Sequence, residues 1–255
     1  MTALPPFRPA LLTAGPLLST FSIVPSPVIV ELAALAGFDS VILDLEHGPF
    51  EIGDIVPMIL AARSHGIHPI VRVRANQPFA IGSALDAGAA GVIVPQVDSV
   101  EGARAAVSAA RFAPVGTRGV NPWVRAFDYA GDAAAFARAN EETAIILLIE
   151  GWAGIEALPG ILDVPGIDCL FLGPVDMAQS LGVGGQPEHP LVVTEIERIV
   201  ADCRRRDIAT AVFATNGEAA GRWLARGVSL IAVAEDTAII ADAYRRLYAS
   251  IRRPG

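Results

Sequence analysis

Short apolar runs alternate along the chain with longer, alanine-rich stretches in which apolar residues recur at helical spacing. Because the runs are continuously apolar, we expect them to be strands with both faces covered. The predicted strands are residues 16–22, 40–45, 69–74, 91–95, 144–150, 168–172, 208–214 and 229–234. The predicted helices are residues 27–36, 51–64, 77–87, 99–110, 132–140, 153–162, 191–206, 216–226 and 237–251. This alternation is typical of parallel strands joined by crossover helices.

The number of repeats predicts the fold class. Eight strand–helix repeats in 255 residues favour a closed (β/α)8 TIM barrel, which typically needs about 250 residues, over an open doubly wound sheet. We therefore expect an α/β fold with a single domain over residues 1–255. Two segments rich in Gly and Pro, residues 112–131 and 182–190, fall outside the repeats, and we expect them to border a site or a subunit contact.

The basic residues exclude several kinds of chemistry. All 19 of them are arginine, so the chain has no lysine. A Schiff-base aldolase and a pyridoxal phosphate (PLP) enzyme both require a lysine amine, and a Walker-type nucleotide loop requires one as well. Activation of a carbonyl group is therefore left to a metal ion, an arginine or main-chain N–H groups.

Composition also limits the partners. With 53% hydrophobic residues and a net charge of -8, the chain can bury a large core, and its short arginine runs are interpreted as solvated helix ends. No nucleic-acid partner is expected. Prolines interrupt the apolar N-terminal stretch, so we expect neither a signal peptide nor a membrane span. Cys169 and Cys203 form no CxxC motif, and we expect both to be reduced and buried in a cytoplasmic protein.

Carboxylates follow two neighbouring predicted strands. Active sites of TIM barrels lie at the carboxyl ends of the strands, and Glu150 and Asp176 occupy such positions. Two carboxylates there suit a hard divalent ion, with water and substrate oxygens completing its coordination. The alternative for each is a helix cap or a rim charge. For Glu150 this is weaker, because an unpaired carboxylate after an apolar strand is costly to bury.

Three further residues are candidates for the chemistry. His47 follows the second strand, and a neutral imidazole can accept and return a proton at neutral pH. Asp86 precedes the fourth strand and could orient His47. Arg72 lies in the third strand, where its guanidinium could hold a substrate carboxylate or an enolate oxygen. The alternatives are a packing histidine, an aspartate that merely ends a helix, and a structural ion pair of Arg72 with Asp44 or Glu46.

Two other features bear on substrate binding. Arg74 has the same side-chain parity as Arg72 and is its rival. The turn formed by Gly173, Pro174, Val175 and Asp176 is expected to open a helix, whose free N–H groups would favour a substrate carboxylate.

Six motifs, taken in order, resemble those of the HpcH/HpaI class II aldolases. They are LDLEHGP at 43–49, VR at 71–72, LDAGAAGVIVPQV at 85–97, GTRGV at 116–120, IE at 149–150 and GPVDMAQSLG at 173–182. The resemblance covers the chain from about residue 15 to 240. It implies a (β/α)8 barrel that forms a homotrimer or homohexamer, often with the last helix exchanged between subunits.

The resemblance also implies a site and a reaction. Glu150 and Asp176 would bind Mg²⁺, Mn²⁺ or Co²⁺, which a small 2-oxo acid such as pyruvate would chelate. His47 would move the proton of the aldehyde-derived hydroxyl, Arg72 would stabilise the enolate, and Asp86 would support His47. The reaction implied is cleavage or formation of a 4-hydroxy-2-oxo acid, with an aldehyde as the second partner.

The acceptor end of the site is less defined. Phe21 stands near the place where the family often has tryptophan, and Arg118 is expected to contact the distal end of a substrate, across a subunit boundary. Gly151 and Trp152 follow Glu150, where the family commonly has threonine next. Residues 119–129 match no particular substrate, so the aldehyde is left open.

Two other functions fit the same barrel. An enzyme of oxaloacetate, either a decarboxylase or a citrate-synthase-like condensing enzyme, would use the same Glu150, Asp176, Arg72 and His47. A non-catalytic barrel that binds a 2-oxo acid would be expected to have lost a ligand or the histidine. A sugar-phosphate barrel is disfavoured, because ATNGE and VAEDT after the last two strands lack a glycine-rich phosphate loop.

Overall fold

The eight predicted strands are all present and form one closed parallel barrel. The structure is a computed structural model that describes residues 4–13 and 15–252. The strands are β1 (Leu17–Ser22), β2 (Ser40–Asp44), β3 (His68–Arg72), β4 (Gly91–Val94), β5 (Ala144–Ile149), β6 (Cys169–Leu172), β7 (Ala209–Ala214) and β8 (Leu230–Glu235). They pair in sequence order, and β8 closes on β1. The predicted (β/α)8 fold class is therefore confirmed.

The nine predicted helices are also present, and two short ones join them. The helices are α1 (Phe7–Thr13), α2 (Pro27–Leu35), α3 (Ile52–Ser64), α4 (Pro78–Asp86), α5 (Val100–Ala110), α6 (Ala133–Glu142), α7 (Trp152–Leu162), α8 (Pro174–Ser180), α9 (Pro190–Arg204), α10 (Gly217–Ala225) and α11 (Asp236–Ile251). In the described residues, no helix is long and apolar enough to cross a membrane.

The core has two layers because successive strand residues face opposite sides of the sheet. Residues such as Ile42, Ile70 and Ile93 fill the inside of the barrel. Their strand neighbours, such as Val41 and Val71, pack outwards against the surrounding helices. The continuously apolar runs of the sequence reflect this burial on both faces.

Helix α1, which the sequence did not predict, closes the barrel at the amino ends of the strands. Phe7 and Leu11 are almost fully buried and join the inner layer of the core. Arg8 pairs with the buried Asp168 at 2.5 Å. The prolines of this segment are compatible with a helix, since Pro9 lies in the first turn, where no internal hydrogen bond is lost.

The two segments outside the repeats lie at opposite ends of the barrel. Residues 182–190 connect α8 to α9 on the side of the carboxyl ends of the strands. Residues 112–131 follow α5 on the other side and contain a short 3-10 turn at Arg125–Phe127. In this second segment Phe127 packs against Phe112 and Phe136, with ring centroids 5.9 Å and 5.0 Å apart.

Candidate active site at the carboxyl ends of the strands

A buried ion pair joins the ends of β2 and β3. Asp44 and Arg72 are register partners on these neighbouring strands. The Arg72 Nε and Nη2 groups donate to the two carboxylate oxygens of Asp44 at 2.8 Å and 2.5 Å. The Arg72 guanidinium also lies over the Phe21 ring, 4.8 Å from its centroid. This two-point contact fixes the plane and direction of the guanidinium.

Asp44 also shapes the turn that carries His47. Its Oδ1 atom accepts the backbone N–H groups of Glu46 and His47, at 3.0 Å and 3.4 Å. The next residue must be glycine, because a Cβ on Gly48 would collide with the backbone oxygen of Asp44. The turn therefore holds His47 at the barrel mouth with its side chain exposed.

Glu46 completes the pairing of Arg72. Its Oε2 atom lies 3.2 Å from Arg72 Nη1, and its Oε1 atom accepts from Gln96 Nε2 at 3.3 Å. Both ion pairs considered from the sequence, with Asp44 and with Glu46, are thus present. Arg74, the rival, is half-exposed and pairs with Glu51 outside the mouth, so Arg72 is the arginine that faces the site.

Glu150 and Asp176 come together around Gly173. A Cβ atom on Gly173 would lie 3.5 Å from Glu150 Oε2 and 3.8 Å from Asp176 Oδ2, which places both carboxylates beside the same backbone position. As predicted, residues 173–176 open a helix, α8, with Pro174 at its start and Asp176 in its first turn. The absence of a side chain at Gly173 leaves room between the two carboxylates.

The electrostatics of Glu150 are unfavourable in the protein alone. Burial raises the pKa of Glu150 to about 7, and the charges of Asp176 and Glu46 add to the rise. Arg72 and a backbone hydrogen bond from Gln96 only partly oppose it. Burial also raises the pKa of Glu46. An excess of negative charge therefore collects at the ends of β5 and β6.

This donor set fits a hard divalent cation that needs two protein ligands. Two carboxylates with an unfavourable charge balance suit Mg²⁺ or Mn²⁺, which accept oxygen ligands and retain waters. In residues 4–13 and 15–252, no three His, Cys, Asp or Glu side chains gather at metal-binding distance. Water and substrate oxygens would complete the coordination beside these two carboxylates.

Two predicted site residues lie at the other end of the barrel. Asp86 ends α4 beside the start of β4, and Arg118 Nη2 donates to its Oδ1 at 2.5 Å. Arg118 is buried and stacks on Phe112 at 4.5 Å. Within one chain, therefore, the structure brings His47, Arg72, Glu150, Asp176 and Phe21 to the mouth, and it does not bring Asp86 or Arg118 there.

The sequence did not identify three residues of the mouth as functional candidates. Asp44 was considered as an ion-pair partner of Arg72, although its place at a strand end beside Arg72 marks it as the residue that orients the guanidinium. Gln96 lies in a loop and donates to Glu46. Its φ of +55° is a conformation that a glutamine rarely adopts. Glu235 ends β8, and no motif indicates that its side chain enters the site.

Known proteins share the sequence pattern and the fold of this chain. The sequence model of the family "HpcH/HpaI aldolase/citrate lyase" matches residues 18–243. A 2-dehydro-3,6-dideoxy-6-sulfogluconate aldolase of Pseudomonas putida is 35% identical over 92% of this chain and 92% of its own length. A 4-hydroxy-2-oxo-heptane-1,7-dioate aldolase of Escherichia coli is 33% identical over 95% of this chain and 93% of its own length.

A solved structure extends the likeness to a different named activity. The citrate synthase SbnG superimposes with a TM-score of 0.85 at 30% identity, and the match covers 96% of each chain. The same barrel therefore carries both aldolases and a condensing enzyme among the proteins that this chain is similar to.

Proposed function

This chain belongs to the HpcH/HpaI aldolase/citrate lyase family, and on that premise we propose that it is a divalent-metal-dependent aldolase. It would cleave or form 4-hydroxy-2-oxo acids through the enolate of pyruvate, as a carbon–carbon lyase. The observation that carries the proposal is the Glu150 and Asp176 pair, facing the mouth that also holds the clamped Arg72 guanidinium. Two curated relatives are named as aldolases, which supports the same reaction class.

Glu150 and Asp176 are the proposed metal ligands. A divalent ion held there would polarise the ketone of the 2-oxo acid and stabilise negative charge on its oxygen. Gly173, Pro174 and Val175 line the same turn and are proposed to contact the substrate carboxylate. Mg²⁺, Mn²⁺ and Co²⁺ are the candidate ions, and the oxygen-only donor set favours the first two.

Arg72 and His47 would act on the substrate directly. Asp44 accepts from two N–H groups of Arg72, and Glu46 forms an ion pair with its Nη1 atom, so the remaining N–H groups would serve the developing enolate oxygen. His47 would take the proton from the C4 hydroxyl. The C3–C4 bond then breaks, its electron pair forms the enolate, and the aldehyde leaves. Protonation of the enolate at C3 yields pyruvate.

Asp86 and Arg118 are proposed to serve the site of a neighbouring copy of the chain. Within one chain they lie at the amino ends of the strands, far from His47. A role in orienting His47 or in contacting substrate therefore requires a contact between subunits. The segment of residues 112–131, which contains Arg118, exposes Trp123 and Val120, which suits such a contact.

Helix α11 supports the proposal of a homotrimer or homohexamer. Asp236 is its one buried residue, while Tyr244, Leu247, Tyr248 and Ile251 are more than half exposed. An apolar face of this size is costly in water, and exchange of α11 between subunits would cover it. Light scattering should give a mass of three or six chains, and Leu247→Glu should lower it. A monomeric wild type would contradict the proposal.

Oxaloacetate chemistry is the second candidate function. The likeness to the citrate synthase SbnG favours it, because the same four site residues can stabilise an enolate formed from oxaloacetate. A purely 2-oxo acid-binding barrel has less support, since His47 and both carboxylates are present. We also propose a cytoplasmic location, which the two unpaired, buried cysteines favour.

The test is pyruvate release from a panel of 4-hydroxy-2-oxo acids, followed with lactate dehydrogenase. The protein would be assayed after chelation, and again with Mg²⁺, Mn²⁺ or Co²⁺ restored, beside Glu150→Ala. We expect release that depends on metal and is lost in the variant. Release from oxaloacetate alone, or condensation with acetyl-CoA, would favour the second candidate. Absence of metal binding would refute the site.

A further inference from the structure

The last strand ends in an irregularity that changes which side chain enters the barrel mouth. Along β1 and β8, Ser19 pairs with Ala232, and two residues later Phe21 pairs with Glu235, three residues on. One extra residue is therefore inserted in β8, which is a β-bulge. Ala234 in the bulge has φ +55°, a strained conformation for a residue with a Cβ.

The bulge directs Glu235 towards the site. Phe21 faces the inside of the barrel, where it packs against Phe171 and Phe213. Paired residues on neighbouring strands face the same side of a sheet, so Glu235 shares the inward face of Phe21. Without the extra residue, Ala234 would stand opposite Phe21, and the mouth would have an uncharged methyl group there.

Hydrogen bonds to the next residue fix this arrangement. Asp236 is buried, and its Oδ2 atom accepts from Ser22 Oγ at 2.8 Å and from the N–H groups of Ile23 and Val24 at 3.1 Å and 3.0 Å. The end of β8 is thereby attached to the end of β1. Because these contacts hold Asp236, the direction of Glu235 is set by the backbone.

Glu235 is a charged neighbour of the acid–base group and has no fixed partner. Burial, followed by the charges of Asp44 and Asp236, raises the pKa of Glu235, while Arg72 and His47 lower it. Within residues 4–13 and 15–252, Glu235 forms no ion pair and no side-chain hydrogen bond. Its carboxylate therefore remains available to act on whatever lies beside His47.

The proposed reaction places the aldehyde on this side of the mouth. Pyruvate would lie between the carboxylates of β5 and β6 and Arg72 of β3. The aldehyde carbon is joined to it near His47, which follows β2. Any group beyond that carbon continues towards β1 and β8, which bear Phe21 and Glu235. The charge of Arg118, which is proposed to reach this end of the site from a neighbouring copy, is already balanced by its ion pair with Asp86.

We propose that Glu235 selects the aldehyde by charge: the site disfavours aldehydes with an anionic distal group and favours neutral or cationic ones. This rests on the proposed aldolase function and assigns its acceptor class. The names of the two aldolase relatives each contain a second acidic group, a carboxylate in one and a sulfo group in the other. This chain would therefore differ from those proteins in the class of aldehyde that it accepts.

A matched pair of aldehydes tests the proposal. 4-Oxobutanoate is anionic and is the aldehyde half of 4-hydroxy-2-oxo-heptane-1,7-dioate, and N,N-dimethyl-4-oxobutanamide is a neutral analogue whose tertiary amide cannot close a ring on the aldehyde. The readout is the ratio of kcat/KM for the amide to kcat/KM for the acid, with pyruvate and metal saturating. Wild type, Glu235→Gln and Glu101→Gln would be compared. Glu101 is an exposed glutamate in the first turn of α5.

We expect the wild type to favour the amide, and Glu235→Gln to lower the ratio about five- to tenfold. This is the size expected for one charge at short range in a partly solvated site. The ratio of wild type should also fall as salt is added, because salt screens the repulsion. Glu101→Gln should leave the ratio unchanged.

The possible results distinguish a failure of charge selection by Glu235 from a failure of the proposed aldolase function. A ratio that is the same in wild type and Glu235→Gln, while both turn over substrate, refutes charge selection and leaves the aldolase function standing. Equal loss on both aldehydes would instead make Glu235 a positioning residue for His47. If metal-loaded wild type turns over neither aldehyde, both the proposed function and the charge selection are refuted.

Discussion

The two ends of the barrel use the same residue types in opposite ways. At the amino ends of the strands, the carboxylate of Asp168 is fully paired: Arg8 donates to one oxygen, and Arg111 and the N–H of Ile145 donate to the other, at 2.7 Å and 2.8 Å. At the carboxyl ends, Glu150 is partly buried beside Asp176 and Glu46, forms no ion pair within the part of the chain that the structure describes, and has a raised pKa.

The difference shows how burial of charge is used. A buried carboxylate with all its hydrogen bonds satisfied contributes to a rigid structure, and removal of one partner is costly. A carboxylate that is buried among like charges destabilises the protein until a cation binds. The mouth therefore has the character of a binding site, whereas the opposite end joins α1 to the barrel.

Removal of a mouth carboxylate should give the largest effect. We expect Glu150→Gln to lower metal-dependent kcat/KM at least ~1000-fold, because one of two protein ligands is lost. Without metal, the variant should unfold at the same or a higher temperature than wild type at pH 8, because Glu150 is charged at that pH and its burial beside Asp176 destabilises the folded protein. Activity assays measure kcat/KM, and thermal unfolding without metal measures stability. Glu156→Gln on α7 is the control. A large loss of stability in Glu150→Gln would contradict the idea that the carboxylates of the mouth, unlike Asp168, do not stabilise the fold.

The opposite result is expected at the other end. Asp168→Asn leaves Arg111 buried beside a neutral group, so it should lower the free energy of unfolding by about 3–5 kcal/mol. The folded fraction should retain wild-type kcat/KM, since the mouth is untouched. Urea unfolding measures the free energy of unfolding. The control is Asp163→Asn, because Asp163 forms an exposed ion pair with Arg206. Loss of kcat/KM in folded protein would show that the two ends are coupled.

A milder change at the mouth tests the geometry of the clamp. Arg72→Lys keeps the charge but loses the paired contact with Asp44 and the planar donors. We expect kcat to fall ~10- to 100-fold with a smaller change in KM, since the lost interaction is strongest with the enolate. Arg74→Lys, outside the mouth, should leave both within twofold. An unchanged kcat in Arg72→Lys would show that a positive charge, without the planar guanidinium, is enough to stabilise the enolate.

Most of the fold could be predicted because it depends on period and repetition. The runs that became β2 and β5 are buried on both faces, so their residues read as continuously apolar. Helix α1 was missed because its pattern is short and proline-rich, and its order comes from tertiary contacts of Phe7 and Arg8. Propensity is a weak guide where such contacts decide the structure.

The site was only partly predictable for a related reason. His47, Glu150 and Asp176 follow apolar strands, and their position alone indicates chemistry in a barrel. The orientation of Arg72 depends on register with Asp44, and that of Glu235 depends on a one-residue bulge. A shift of one residue reverses the facing of every later side chain, and no local pattern in the sequence marks where it occurs.

The smallest expected effect is the pH dependence of stability that His68 causes at the amino ends of the strands. His68 lies at the start of β3 against Phe7, with ring centroids 5.0 Å apart. Burial lowers the pKa of His68 to about 4, which nearby Asp39 only partly opposes. The unfolded chain therefore takes up a proton at a higher pH than the folded protein does. The stabilisation is complete above pH 6.5 and is lost as the pH falls towards 4.

Wild type should lose roughly 2 kcal/mol more than His68→Gln between pH 7 and pH 4.5, because glutamine does not titrate. Urea unfolding at each pH measures this, and comparison with the variant removes the contribution of the carboxylates that titrate in the same range. His65→Gln, at the exposed end of α3, should follow wild type. Parallel curves for wild type and His68→Gln would mean that His68 takes up its proton at the same pH in the folded and the unfolded chain, and that burial at the amino end does not disfavour its charge.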